Sequence, residues 1–268
     1  MGALARRNLA LLISTENPTH TTAMKNKYCS LVRAVLPALF VTAALMLNTT
    51  AIAQAPPGSL WYNGDLNYVN ALPNERDPST QAAVYDDFDV AAPLGWHVTA
   101  VFSDNIITPD TATTGADWEI RSGVSEGNAG TLIASGTTNS PLLTHSGRFF
   151  FDTPEYMVEV TGLNVFLPML PAGQHYWLNV TPVSYRQGSS LNTTTSGFNC
   201  VGTPCGNDDN AFWNSTKYFF DHTYNHCDGC NDFSMGVIGS VVPEPATVAL
   251  LTCGMGALLI VVHRRRGA

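Results

Sequence analysis

Between residues 82 and 241 apolar and polar positions alternate with a period of two, the spacing of strands whose side chains point in turn to a core and to solvent. The alternation predicts strands at 84–90, 96–102, 118–121, 131–135, 148–151, 157–160, 164–167, 175–180, 218–221 and 233–238. These segments are rich in Val, Ile, Thr, Phe, Tyr and Trp, which fit a pleated, half-buried surface. Turn-forming residues punctuate the gaps, as in Thr108-Pro109-Asp110, Gly127-Asn128-Ala129-Gly130 and Pro171-Ala172-Gly173. No amphipathic helical pattern stands out between Pro56 and Ser240. Many short strands at close spacing predict an all-β fold, a β-sandwich or jelly-roll-like ectodomain over 82–241. Residues 54–81 then read as an N-terminal linker or edge region.

Two uninterrupted apolar runs flank this region, and they read as addresses rather than fold. From Met24, the basic residues Lys25, Lys27 and Arg33 precede an apolar stretch from Ala34 to Leu47. Ala51-Ile52-Ala53 follows with the small-x-small pattern that signal peptidase accepts, and Pro56 disfavours a cut after Ala55. Residues 24–53 are therefore read as a signal peptide cleaved after Ala53, with a signal-anchor as the rival. Its partners are the Sec translocon and signal peptidase. Residues 1–23 fit neither a signal nor a domain, and Met24 is expected to be the true initiator.

The second run lies in the tail. Pro243-Glu244-Pro245 is a stiff, extended break, because each proline fixes its own φ and keeps its predecessor out of the helical region. Ala246 to Val262 carries no charge, and as a helix its 17 residues would span roughly 25 Å, the short end for a bilayer core. His263 and the basic stop Arg264, Arg265 and Arg266 follow, a cluster that stays cytoplasmic while the N-terminal side is exported.

This order of parts resembles the PEP-CTERM sorting signal of Gram-negative bacteria. The resemblance rests on Val242, Pro243, Glu244 and Pro245, then one transmembrane helix (246–262) and a short basic tail (263–268). It implies recognition and processing by exosortase, a membrane-embedded transpeptidase similar to cysteine proteases. The implied route is an inner-membrane intermediate, then the cell surface or the exterior, in an exopolysaccharide and biofilm setting. Two ectodomain phrases also resemble recurring pieces of that family: Asp117 to Gly123 with Gly127 to Gly136 as a hairpin, and Pro171-Ala172-Gly173 leading into Tyr176 to Val180. The implied fold is sandwich-like. No reaction is implied, and an ordinary C-terminal anchor is the alternative.

Charge narrows the possible partners. Between 54 and 240 the basic residues are Arg76, Arg121, Arg148, Arg186 and Lys217, against 19 Asp and Glu, a net charge of −14. A surface this acidic excludes nucleic-acid binding by phosphate neutralisation. It reads as a solvated acidic face.

Cysteine use adds a second constraint. Cys29 and Cys253 fall in the two apolar runs, which leaves Cys200, Cys205, Cys227 and Cys230 for the exported domain. In an oxidising compartment four cysteines read as two disulfides, with local pairing favoured because both pairs sit in Gly-containing loops. The rival is a zinc site, since C-x4-C and C-x2-C lie near ribbon spacing.

His222 and His226 join Cys227 and Cys230 in the densest polar segment, the basis of an alternative metal-dependent enzyme. Gly206-Asn207-Asp208-Asp209-Asn210 offers oxygen ligands to calcium, but it lacks the 1-3-5 spacing and the distant Glu, so turn chemistry is the preferred reading. Trp61, Tyr62, Tyr185 and Trp213 are candidates for an exposed sugar-stacking platform, the basis of an alternative carbohydrate-binding module for exopolysaccharide. Trp96, Trp118 and Trp177 read as core. The chain has no G-x-S-x-G, no H-E-x-x-H and no phosphate-binding loop, so no catalytic residue and no cofactor are expected.

Overall fold

The computed structural model describes residues 55–108, 112–186, 188–215, 224–226 and 232–244. The signal peptide with Ala51 and Ala53, the predicted strand 218–221, Pro245, the apolar run 246–262 and Arg264, Arg265 and Arg266 lie outside the described residues.

The described residues form strands and no helix. In chain order the strands are β1 (Ser59–Tyr62), β2 (Leu66–Pro73), β3 (Glu75–Arg76), β4 (Gln81–Phe88), β5 (Trp96–Ile107), β6 (Thr113–Ser122) and β7 (Thr131–Thr138). The second half holds β8 (Leu142–Phe150), β9 (Thr153–Leu167), β10 (Tyr176–Ser184), β11 (Ser190–Thr195), β12 (Phe212–Ser215), β13 (Asn225–His226) and β14 (Met235–Val241).

They assemble into two sheets. In the first, β5 pairs along one edge with β9 and along the other with β14 and then β11. β8 lies beyond β9, β1 beyond β14 and β2 beyond β11. In the second, β10 pairs along one edge with β6, which pairs with β7. Its other edge meets β4 at Tyr176 to Leu178 and β3 at Val183, and β12 and β13 extend the sheet past β4.

The core lies between the sheets, as period-two strands require. Val84 and Phe88 of β4, Trp118 and Ile120 of β6, and Leu178 and Val180 of β10 meet Val98 and Val101 of β5, Val158 and Val160 of β9, and Met235 and Val237 of β14. Opposite β14, a bulge between Val98 and Ala100 adds a residue to β5, and Val98 and Val101 both face the core. Phe88 is an aromatic hub, its ring 5.3 Å from Trp61, 5.5 Å from Tyr176 and 6.0 Å from Trp96. A smaller cluster of Ala83, Tyr85, Trp177 and Phe212 covers the outer face of the second sheet, capped by Val124 and Tyr224. Trp177 is thus buried in this outer layer, while Trp96 and Trp118 join the main core.

The sequence pattern differs from the structure in the 54–81 region, which carries β1, β2 and β3 with Trp61 wholly buried. β1 and β2 end the first sheet, and β1 pairs with β14 more than 170 residues away, a partner no local pattern announces. The separate segments 157–160 and 164–167 are one strand, β9. The hairpin of β6 and β7 forms antiparallel, with Gly127 and Gly130 in the left-handed region of its turn. The Pro171 turn closes with a bond from the Gln174 N–H to the Pro171 carbonyl.

Candidate functional site

Several residues singled out by sequence have a definite place. β14 ends at Val241, the Val242 N–H bonds the Gly95 carbonyl at 3.1 Å, and Pro243 and Glu244 are exposed beyond it. Cys200 and Cys205 form a disulfide. That bond removes two thiols from any four-cysteine zinc site. Cys227, Cys230 and His222 lie outside the described residues, and the His226 ring bonds the Asp209 carbonyl at 2.7 Å and meets the Phe212 ring edge-on.

The aromatic platform does not form as expected. Trp61, Tyr62 and Trp213 are buried, and only Tyr185 is exposed. The reason is tertiary. Trp61 stacks on Phe88 and donates to the Pro204 carbonyl, and Trp213 belongs to the main core.

Sequence reasoning also missed two buried ionic centres. The first surrounds Arg148 on β8. Its guanidinium reaches Asp65 at 2.8 Å, Asp104 of β5 at 3.2 Å and Glu155 of β9 at 2.5 Å. The Tyr62 hydroxyl donates to Asp65 at 2.7 Å, Ser234 to Asp104 at 2.8 Å and Thr193 to Glu155 at 2.9 Å. Burial first, and then the Glu155 carboxylate, push Asp104 up to about 7, against the pull of Arg148, Ser234 and Tyr62. A hollow of about 250 Å³ lined by Pro56, Tyr62, His145, Arg148 and Met157 opens beside it.

Among the described residues the second centre has no lysine or arginine partner, and His175 is the basic side chain beside it. Asp86 and Asp87 lie next to the last residue of β4, Phe88, and Asp232 and the loop bearing Asp208 and Asn210 come against them. Asp86 is fully engaged: Oδ2 accepts from Asn63 and from the Phe233 N–H, and Oδ1 from the Asp87 N–H. Asp87 and Asp232 are as deeply buried; the Asn210 side chain lies against Asp87, and Asp232 Oδ2 accepts from the Asp208 N–H. His175 Nδ1 stands 3.1 Å from Asp87 and 2.9 Å from Asp89, without the alignment of a hydrogen bond. Burial, followed by Asp208, pushes Asp87 up to about 8. Burial also pushes Asp232 up to about 7, with the Asp208 side chain adding to the rise and the Asp208 N–H opposing it.

A polar groove of about 380 Å³ runs over the outer face of the second sheet, where β10 diverges from β4. Asn179 bridges the divergence by donating to the Val84 carbonyl at 2.8 Å, and Tyr85 donates to Glu119 at 3.2 Å. Arg76 pairs with Asp117 along the rim. No family model matches the chain, and no curated protein or solved structure matches it either.

Proposed function

We propose that the chain is a non-enzymatic surface or matrix protein, exported by the Sec route and sorted by an exosortase-type transpeptidase. The observation that carries this reading is the order of the tail: Val242-Pro243-Glu244-Pro245, an uncharged run of 17 residues, then Arg264, Arg265 and Arg266. Two structural facts support it. The exposed start of the motif directly follows the last strand, where a processing enzyme has access. The Cys200–Cys205 disulfide fits an oxidising compartment outside the cytoplasm. Retention in the inner membrane precedes release to the surface or exterior, in an exopolysaccharide and biofilm setting. Deleting Pro243-Glu244-Pro245, or the transpeptidase, changes the mature mass and location. Unchanged processing by mass spectrometry and fractionation removes the reading.

A second reading, a carbohydrate-binding module for exopolysaccharide, is favoured by one observation, the polar groove with Tyr85, Glu119, Asp117 and Asn179 on its walls. It lacks the exposed aromatic platform, since Tyr85 is buried. A glycan array without binding removes it. The metal-dependent enzyme built on His222, His226 and the cysteines is weakened by the Cys200–Cys205 bond.

A further inference from the structure

We propose that β7 is a dimerisation edge, at which a second copy of this chain adds its own β7 antiparallel about a two-fold axis. Two strand edges lie open on one flank of the sandwich. Among the described residues β7 pairs with β6 alone and β8 with β9 alone, so each ends its sheet. β10 packs over β5 and β6 over β9, and Asn139, Ser140 and Pro141 are all that joins β7 to β8. Both edges therefore face the same side. An edge presents a row of unpaired N–H and C=O groups, which folded proteins blunt with charges, proline, bulges or a covering segment. β7, Thr-Leu-Ile-Ala-Ser-Gly-Thr-Thr, carries no charge and no proline. It has a bulge at Ile133, and beyond it Ala134 to Thr138 stay in regular register with β6. β8 is interrupted after His145, which makes β7 the longer regular edge.

Side chains and charge select the occupant. On these two strands Leu132, Ile133, Leu142, Leu143 and Phe149 are between 41% and 53% exposed, apolar surface that a partner would remove from water. Between 54 and 240 the chain has a net charge of −14, so two copies repel across most of their surfaces. Gly127 to Phe151, which spans both edges, has no Asp or Glu. Its arginine, Arg148, is turned inward onto Asp65, Asp104 and Glu155. One strand in from the β7 edge, Asp117 and Glu119 are paired with Arg76 and Arg121. On the β8 side, Glu159 of β9 lies opposite Leu142. A strip without net charge offers little attraction to a charged partner, and it is where two like-charged copies can touch. An antiparallel strand pair is also self-complementary, as a two-fold interface requires. Pairing there continues the second sheet from one copy into the other and covers Leu132 and Ile133, with Leu142 and Leu143 beside them.

The test uses the full chain in non-ionic detergent, followed by analytical ultracentrifugation over a concentration series and by amide hydrogen exchange. The chain dimerises as its concentration rises, and amides within 131–138 gain protection with the dimer. Ile133→Glu, with Leu132→Glu as a second exposed change, places like charges at the edge and weakens the dimer at least about 10-fold. Val69→Glu, an exposed change on the edge strand β2, leaves the dimer intact. Thermal melting checks that each variant is folded. A monomer at every concentration, a dimer that both β7 variants leave unchanged, or a dimer lost in Val69→Glu alone overturns the proposal. Growth beyond the dimer, or capture of a different protein without self-association, overturns it as well. None of these outcomes depends on how the tail is processed.

Discussion

Arg148 on β8 reaches Asp65 at 2.8 Å, tying the edge strand of a hairpin to the turn between the first two strands of the domain. The same guanidinium holds Asp104 and Glu155, so one cation pairs with carboxylates from three separate parts of the chain. Burial lowers the guanidinium's hold on its proton, and the surrounding carboxylates more than reverse this, so Arg148 stays charged.

Replacing Arg148 by Met preserves much of the apolar stem and deletes the charge. It leaves three carboxylates buried without compensation, a loss of about 3–5 kcal/mol for breaking such a buried pair. Urea unfolding at neutral pH should show this loss. It should shrink on acidification, because a proton then neutralises Asp104. A variant with wild-type stability at neutral pH removes Arg148 from its keystone role.

Asp104 gives the fold a pH dependence of definite sign. Its folded pKa of about 7 lies above an unfolded value near 3.9. Between those values the folded chain holds a proton that the unfolded chain has lost. The stabilisation is complete below pH ~4 and disappears as pH rises through about 7, at up to about 1.4 kcal/mol per pH unit for one proton. Glu155, Arg148, Ser234 and Tyr62 face this carboxyl and, with burial, set its value. Asp104→Asn should reduce the slope of stability against pH across this window. A slope identical to wild type sinks the assignment.

The β6–β7 turn separates two costs of a side chain. Gly127 and Gly130 have φ of +70° and +63°. A Cβ on Gly127 meets nothing within 4 Å, whereas on Gly130 it falls 2.2 Å from the Ser122 carbonyl oxygen. Gly127→Ala should cost about 1–2 kcal/mol for the left-handed backbone alone. Gly130→Ala should cost clearly more, read by denaturant unfolding. Equal losses would show that the turn relaxes freely.

What the sequence revealed follows the reach of local pattern. The strands β4, β5, β6, β7, β10 and β14 each overlap a predicted segment, because their alternation faces one apolar core. β11, with the sequence Ser-Leu-Asn-Thr-Thr-Thr, is buried but polar and gives no such signal. Its burial rests on side-chain bonds: Asn192 and Thr193 donate to the Asp104 carbonyl, and Thr193 to Glu155. Trp61 and Tyr62 read as surface because β1 finds its partner only through the tertiary fold. Asp65, Asp104, Arg148 and Glu155 share no spacing, so no motif marks their meeting. One signal was available for the other centre: Asp86-Asp87 is an acidic pair inside an otherwise apolar strand, a pattern that a purely structural strand avoids.

The disulfide loop should be a local stabiliser that covers one end of the core. Cys200 and Cys205 close a short loop, for which chain entropy gives about 2 kcal/mol. That loop also carries the Pro204 carbonyl that receives the Trp61 indole, the Thr203 carbonyl that receives the Asp89 N–H, and the neighbouring Gly206 N–H bonded to Asn63. Cys200→Ser should therefore cost about the entropic amount or more, because the contacts over Trp61 loosen with the bond. Chemical denaturation gives the stability change, and a red shift of indole fluorescence in the folded variant reports water reaching Trp61. A stability loss without any spectral change would assign the disulfide to chain entropy alone. Neither change would mean that the hydrogen bonds to Pro204, Thr203 and Gly206 hold the loop without it.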